Sequence, residues 1–308
     1  MNHKAPSLIL GTAMWGWAIA RNDCFALLNH FYQCGFREVD GATNYPINKN
    51  PSDFRLAEKI LHEWINAHGV QDLKVMMKVG SLNNLRSPEI NLSKSFLLIL
   101  LDEYRQLFGS NLDTFMPHWD NREDEGELRA SLEALDAAQQ QGLRVGLSGI
   151  RHPGLYAKLN REFGFDFRVQ AKHNLLQSDI GRYASLGDKA HFIAYGINAG
   201  GIKLDPEEYH DNSSLHIRGG DANKTHPILR PLKEAIGTAN KDSSRPPIRS
   251  FNQCGMAYAY YTPGMEGILL GTSRAAQLQD TLDFYDALKT YDYSDLYQSL
   301  KELHAEES

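Results

Sequence analysis

The sequence predicts an α/β fold, a closed (β/α)8 barrel built from one chain of 308 residues. Three observations carry that expectation. Short apolar runs alternate with amphipathic helical patterns along the chain. Several runs are apolar on both faces, as strands covered on both sides must be. The alternation continues to the C-terminal region, and right-handed crossovers then wrap the helices around a parallel sheet that closes on itself.

The candidate strands, in order, are Ser7–Leu10, Arg37–Asp40, Lys74–Val79, Thr114–His118, Arg144–Ser148, Phe167–Ala171, Phe192–Tyr195 and Gly267–Leu270. Between the second and third, Ser52 and Asp53 read as a helix start, with the acid favourable in the first turn. Ala57, Ile60, Leu61, Trp64 and Ile65 then share one face, and Gly69 is placed to end the helix. A second clear helix spans Glu125–Gln141, with Leu128, Leu132, Leu135 and Ala138 as its stripe and Gly142 as its stop. The interval Gly196–Glu266 is irregular. It holds Gly219-Gly220, the polar run Asn240-Lys241-Asp242-Ser243-Ser244, and helical patterns near Ile228–Thr238 and Ile248–Tyr261. It reads as one long active-site loop plus the seventh helix, since long loops at a barrel mouth are often functional. The whole chain reads as a single domain with a core over about residues 7–290.

Composition narrows the function classes. The chain is 42% hydrophobic and 23% charged, ordinary for a soluble enzyme. A formal net charge of -6 argues against a broad nucleic-acid surface. Cys24, Cys34 and Cys254 are an odd, sparse set without C-x-x-C, which argues against a disulfide framework or zinc ribbon and fits a reducing cytoplasm. Met1 to Gly16 shows no secretion-signal pattern, and the apolar stretch Ser95 to Leu101 is too short to span a bilayer. His62-Glu63 and His68 lack H-E-x-x-H spacing, and no G-x-S-x-G elbow occurs. His210 and His216 fall in a polar loop and read as solvent-facing. No metal site is expected.

Four distant residues carry the chemistry. Asp40 ends the second run and Tyr45 follows it after Gly41-Ala42-Thr43-Asn44. Lys78 lies in the third run, and His118 ends the fourth. Each alone is most often structural. On consecutive barrel strands all four gather at the catalytic mouth. A phenol titrates near ~10, and an adjacent ammonium stabilises its phenolate. A carboxylate holds that ammonium charged, and a histidine can orient a carbonyl. Such a set fits carbonyl reduction, with hydride arriving at carbon while the tyrosine protonates oxygen.

At these residues the sequence resembles the aldo-keto reductases. Gly35-Phe36-Arg37-Glu38-Val39-Asp40-Gly41-Ala42-Thr43-Asn44-Tyr45 is similar to the family's strand-and-tyrosine segment. Leu112-Asp113-Thr114-Phe115-Met116-Pro117-His118-Trp119 is similar to its strand-and-histidine segment, and Lys78 occupies the place of its lysine. The resemblance runs from Leu10 to about Leu282. It implies a TIM barrel and a soluble NAD(P)H-dependent enzyme acting on a small carbonyl compound. Tyr45 would be the general acid, Asp40 and Lys78 its tuning pair, and His118 the carbonyl-positioning group.

The resemblance also implies a nicotinamide cofactor bound by Gly11, Thr12, Asp40, Ser148, Gln170 and Tyr195. Ser148 and Gln170 would hold the carboxamide, and Tyr195 would stack on the ring. Leu269-Leu270-Gly271-Thr272-Ser273-Arg274-Ala275-Ala276-Gln277 resembles the family's adenosine-phosphate loop, implicating Gly271, Thr272, Ser273, Arg274, Gln277 and Asp280. Arg274 favours NADPH over NADH as the expected cofactor. Two departures stand out. The family's asparagine after Ser148 is Gly149 here, and the usual N-terminal hairpin that plugs the barrel is short or missing. His173 replaces a tyrosine and is expected behind the site. Two other readings compete: a non-catalytic nicotinamide-binding barrel, and a barrel lyase or isomerase using Lys78 as a Schiff-base amine.

Overall fold

In the computed structural model, residues 4–209, 214–217, 220 and 226–307 are described. Eight parallel strands close in sequential order: β1 (Ser7–Gly11), β2 (Glu38–Ala42), β3 (Lys74–Val79), β4 (Leu112–Pro117), β5 (Arg144–Ser148), β6 (Phe167–Lys172), β7 (Ala190–Tyr195) and β8 (Met265–Leu270). Around them run α1 (Arg21–Gln33), α2 (Leu56–His68), α3 (Lys94–Phe108), α4 (Glu125–Gln140), α5 (Pro153–Phe163), α6 (Ser214–Ile217), α7 (Leu229–Ala239), α8 (Phe251–Tyr261), α9 (Ala275–Thr290) and α10 (Ser294–Glu307). The barrel and its alternation are as the sequence predicts. No helix among the described residues is long and apolar enough to cross a membrane.

The strands alternate faces, and this sorts their residues into a helix-facing core and a barrel interior. Leu8, Leu10, Val39, Val75, Met77, Phe115, Val145, Leu147 and Val169 join the helix-facing core with the buried stripes of α2 to α5. Ile9, Met76, Met116 and Ile193 form a separate apolar layer inside the barrel. Below this layer, Arg168 of β6 is almost fully buried. It donates to Glu38 of β2 at 2.7 Å and to Thr114 of β4 at 3.1 Å, and pairs with Glu266 of β8 at 3.0 Å. The floor is therefore a cross-barrel ionic cluster. Residues 4–6 add no strand before β1.

Four details differ from expectation. Pro51–Asp53 forms a separate 3-10 turn capped by Asn50, and α2 starts only at Leu56. Phe54 is extended and Arg55 takes a left-handed φ of 65°, held by its 2.5 Å bond to buried Glu58, so the helix cannot run back to Ser52. Between β6 and β7 the connection is the 3-10 segment Ile180–Lys189, without an α-helix. The Gly196–Glu266 interval holds α7 and α8 at the two helical patterns read there, and the short α6 before them, which the sequence did not suggest. His210 and Gly219 of this interval lie outside the described residues. The packed region also passes residue 290, because Tyr293, Leu296 and Leu300 of the C-terminal segment are buried. Gly255 lets α8 dock: a Cβ there would lie 2.1 Å from the Ile197 carbonyl oxygen.

Candidate active site

The parallel register brings Asp40 and Lys78 to one end of the barrel interior. Asp40 lies opposite Met76 on the neighbouring strand and Ala42 opposite Lys78. Gly41 between them permits the close crossing of β2 and β3, since a Cβ would meet the Met77 sulfur at 2.7 Å. Lys78 Nζ donates to both Asp40 oxygens at 2.5 Å, and both side chains are about 1% exposed. Thr12 fixes the strand behind Asp40, its hydroxyl donating to the Asp40 carbonyl at 2.8 Å. Burial works against the Lys78 ammonium, but the charges of Asp40 and Tyr45 outweigh it and raise its pKa.

Tyr45 enters from the loop after β2. Its amide donates to the Ala42 carbonyl at 3.1 Å, and its own carbonyl accepts from Ala57 at the start of α2 at 3.3 Å. The Lys78 nitrogen stands 4.9 Å from the centre of the Tyr45 ring. His118 meets Tyr45 edge-on, with ring centres 6.4 Å apart and planes at 88°. It directly follows β4, with its amide donating to the Val79 carbonyl at 2.8 Å and its backbone bridging Ser148. Burial first, and Lys78 second, push its pKa well below the usual histidine value, so its imidazole is neutral. Its Nδ1 has no partner among the described residues. The structure thus brings Asp40, Tyr45, Lys78 and His118 into one constellation, with Asp40, Lys78 and His118 buried and Tyr45 half-buried.

The residues expected at the cofactor divide into two groups. Ser148 ends β5, buried, and Tyr195 ends β7 half-buried. Burial first, then Asp179 and Tyr45, push the Tyr195 phenol up to about 12, so it stays a neutral ring. Gln170 lies against the ion pair: its amide nitrogen donates to Asp40 at 2.5 Å, and its oxygen accepts from Lys78 at 3.2 Å. It braces the ion pair. Gly11 is covered by Leu269, which a Cβ would meet at 2.6 Å. At the far side, Gly271 faces open space, and the Thr272 hydroxyl is buried with no partner among the described residues. Ser273 donates to Gln277 at 3.2 Å, while Arg274 and Asp280 are exposed. Arg274 is the extended residue just before α9, a helix start suited to an anion. An orphaned buried hydroxyl, an uncrowded glycine and a guanidinium at one helix N-terminus fit a dinucleotide phosphate.

Position 149 has a structural explanation. Gly149 has φ +66°, and a Cβ there would lie 2.4 Å from Trp119 Cδ1. Trp119, itself at φ 62°, packs on His118 with ring centres 4.5 Å apart. The indole occupies the space a side chain at 149 would need. His173 is buried; it bonds Ser178 at 2.8 Å and Thr262 at 3.0 Å and stacks on Tyr258 at 4.7 Å. His216 is exposed. Among the described residues no cluster of His, Cys, Asp and Glu is arranged for a metal ion.

Sequence reasoning missed a cleft beside Trp119. A cleft of about 750 Å3 opens beside Trp119, lined also by Ile47, Arg86, Pro88, Ile90 and Asn121. Buried Asn84 clamps its walls, donating to the carbonyls of Pro46 at 3.2 Å and Asn50 at 2.7 Å and to Asn48 at 3.1 Å. The polar run after Val79 was the available signal, but no periodicity distinguishes such a clamp from a solvated loop.

Residues 7–301 match the family model described as the aldo/keto reductase family. None of the curated proteins matches the chain.

Proposed function

Because the chain belongs to the aldo/keto reductase family, whose members are oxidoreductases, we propose that it reduces an aldehyde or ketone with NADPH, or runs the reverse oxidation. One observation carries the reading most: the charged Lys78, locked onto Asp40, lies against the Tyr45 ring while neutral His118 meets the ring edge. A bound nicotinamide cofactor would supply the hydride that the carbonyl carbon accepts. Tyr45 donates its phenolic proton to the carbonyl oxygen. Lys78 stabilises the phenolate left behind, and Asp40 with Gln170 keeps the ammonium in place. His118 orients the carbonyl by a hydrogen bond, which a neutral imidazole with a free ring nitrogen can make. Ser148 and Tyr195 would hold the nicotinamide end of the cofactor, and Thr272, Ser273 and Arg274 the adenosine phosphate.

The bidentate Lys78–Asp40 pair disfavours the Schiff-base alternative, which needs a neutral, accessible amine. A purely binding role leaves the buried ion pair beneath Tyr45 without a purpose. The test is NADPH consumption with a generic aldehyde, followed by absorbance, alongside NADPH fluorescence on titration with protein. We expect both turnover and a fluorescence change. Cofactor binding without turnover across an aldehyde and ketone panel would support the binding module instead.

A further inference from the structure

The cleft beside Trp119, whose lining includes Ile47 of the loop that carries Tyr45, has one charged lining residue, and nothing in the proton-transfer chemistry uses it. Arg86 lies on the loop after β3 with φ 59°, an uncommon conformation for an arginine. Two sets of bonds fix it to the loop that carries Tyr45. Asn84, two residues earlier, is fully buried and ties its loop to Pro46, Asn48 and Asn50. Arg86 Nε itself donates to the Ile47 carbonyl at 3.2 Å. Among the described residues no carboxylate pairs with Arg86. With Nε occupied, the two terminal nitrogens remain, and their paired N–H groups match the two oxygens of a carboxylate. The rest of the cleft, Ile47, Pro88, Ile90 and Trp119, is apolar, with Ser87 and Asn121 at its polar margin.

We propose that the substrate carries a carboxylate separated from its carbonyl by an apolar spacer, and that Arg86 binds that carboxylate. The spacer lies along Trp119, Ile47 and Ile90 while the carbonyl reaches Tyr45 and His118. Because Arg86 is anchored to Tyr45's own loop, the two ends of the substrate are measured against one rigid piece of backbone. This rests on the carbonyl-reductase reading above.

The test uses straight-chain aldehydes ending in a carboxylate, each paired with its methyl ester. For wild type, kcat/KM should favour the acid by about tenfold at low salt, the scale of one charge-assisted contact, and through KM more than kcat. The acid-to-ester ratio should fall to near one in Arg86→Met, be partly kept in Arg86→Lys, and shrink with added salt. Binding is read without turnover by calorimetric titration of the corresponding ω-hydroxy acids and their esters. If the hydroxy acids bind in an Arg86-dependent way while no aldehyde is reduced, the carboxylate site stands and the reductase reading fails. Equal binding of acid and ester by wild type, or an acid preference that survives Arg86→Met, overturns the proposal.

Discussion

At the scale of single residues, the site works by setting charge states through burial. Lys78 is kept charged by Asp40 against the pull of burial, whereas His118 has no carboxylate and is neutral. A cation and a neutral donor therefore flank one phenol. The Gly149–Trp119 contact is equally specific. Asparagine tolerates a left-handed backbone better than most residues, so the cost of Gly149→Asn comes from the clash with Trp119. We expect Gly149→Asn to lose about 1–3 kcal/mol by chemical denaturation, the range for overpacking. Adding Trp119→Ala should recover part of that loss, so a double-mutant cycle should show coupling. Additive effects would mean that the indole does not set the residue at 149.

At the scale of elements, function sits where strands end and helices begin. In our proposal the start of α9, with Thr272, Ser273 and Arg274, holds the adenosine phosphate. Arg274→Ala should weaken NADPH by roughly 1.5 kcal/mol, the low end for a charge-assisted bond because the guanidinium is exposed, and leave NADH almost unaffected. Dissociation constants for both cofactors decide it, and equal losses would make Arg274 a structural residue. The strands were legible because doubly buried runs such as Val75-Met76-Met77 have no polar alternation to confuse them. The start of α2 was not, because Arg55 depends on Glu58 and on Tyr104 of a distant helix, which local spacing does not reveal. The same limit hid the cleft. Asn84 gains meaning only once the loop after β2 lies beside it. Gln170 was picked out by resemblance, but its bonds to Asp40 and Lys78 follow from cross-barrel geometry.

At the scale of the whole molecule, closure of the barrel holds polar clusters at its ends and an apolar layer between them. It also buries histidines that cannot easily accept a proton. Burial first, and His304 second, lower the His173 pKa from 6.5 to about 4. The unfolded chain then binds the proton more readily than the folded one. Stability from His173 is complete above pH 6.5, declines as pH falls, and is fully lost below about 4. The shift corresponds to roughly 3 kcal/mol. Thermal melting across this window should show a steeper fall for wild type than for His173→Gln; parallel curves would assign the acid sensitivity elsewhere. The central claim concerns what the assembled mouth does with one phenol. Steady-state reduction of an aldehyde should be compared in wild type and Tyr45→Phe, with NADPH affinity measured on both proteins. Removing the hydroxyl while keeping the ring should lower kcat by at least ~100-fold, the scale for losing a general acid, with NADPH affinity changed no more than a few-fold. A Tyr45→Phe protein that turns over within a few-fold of wild type would contradict the account.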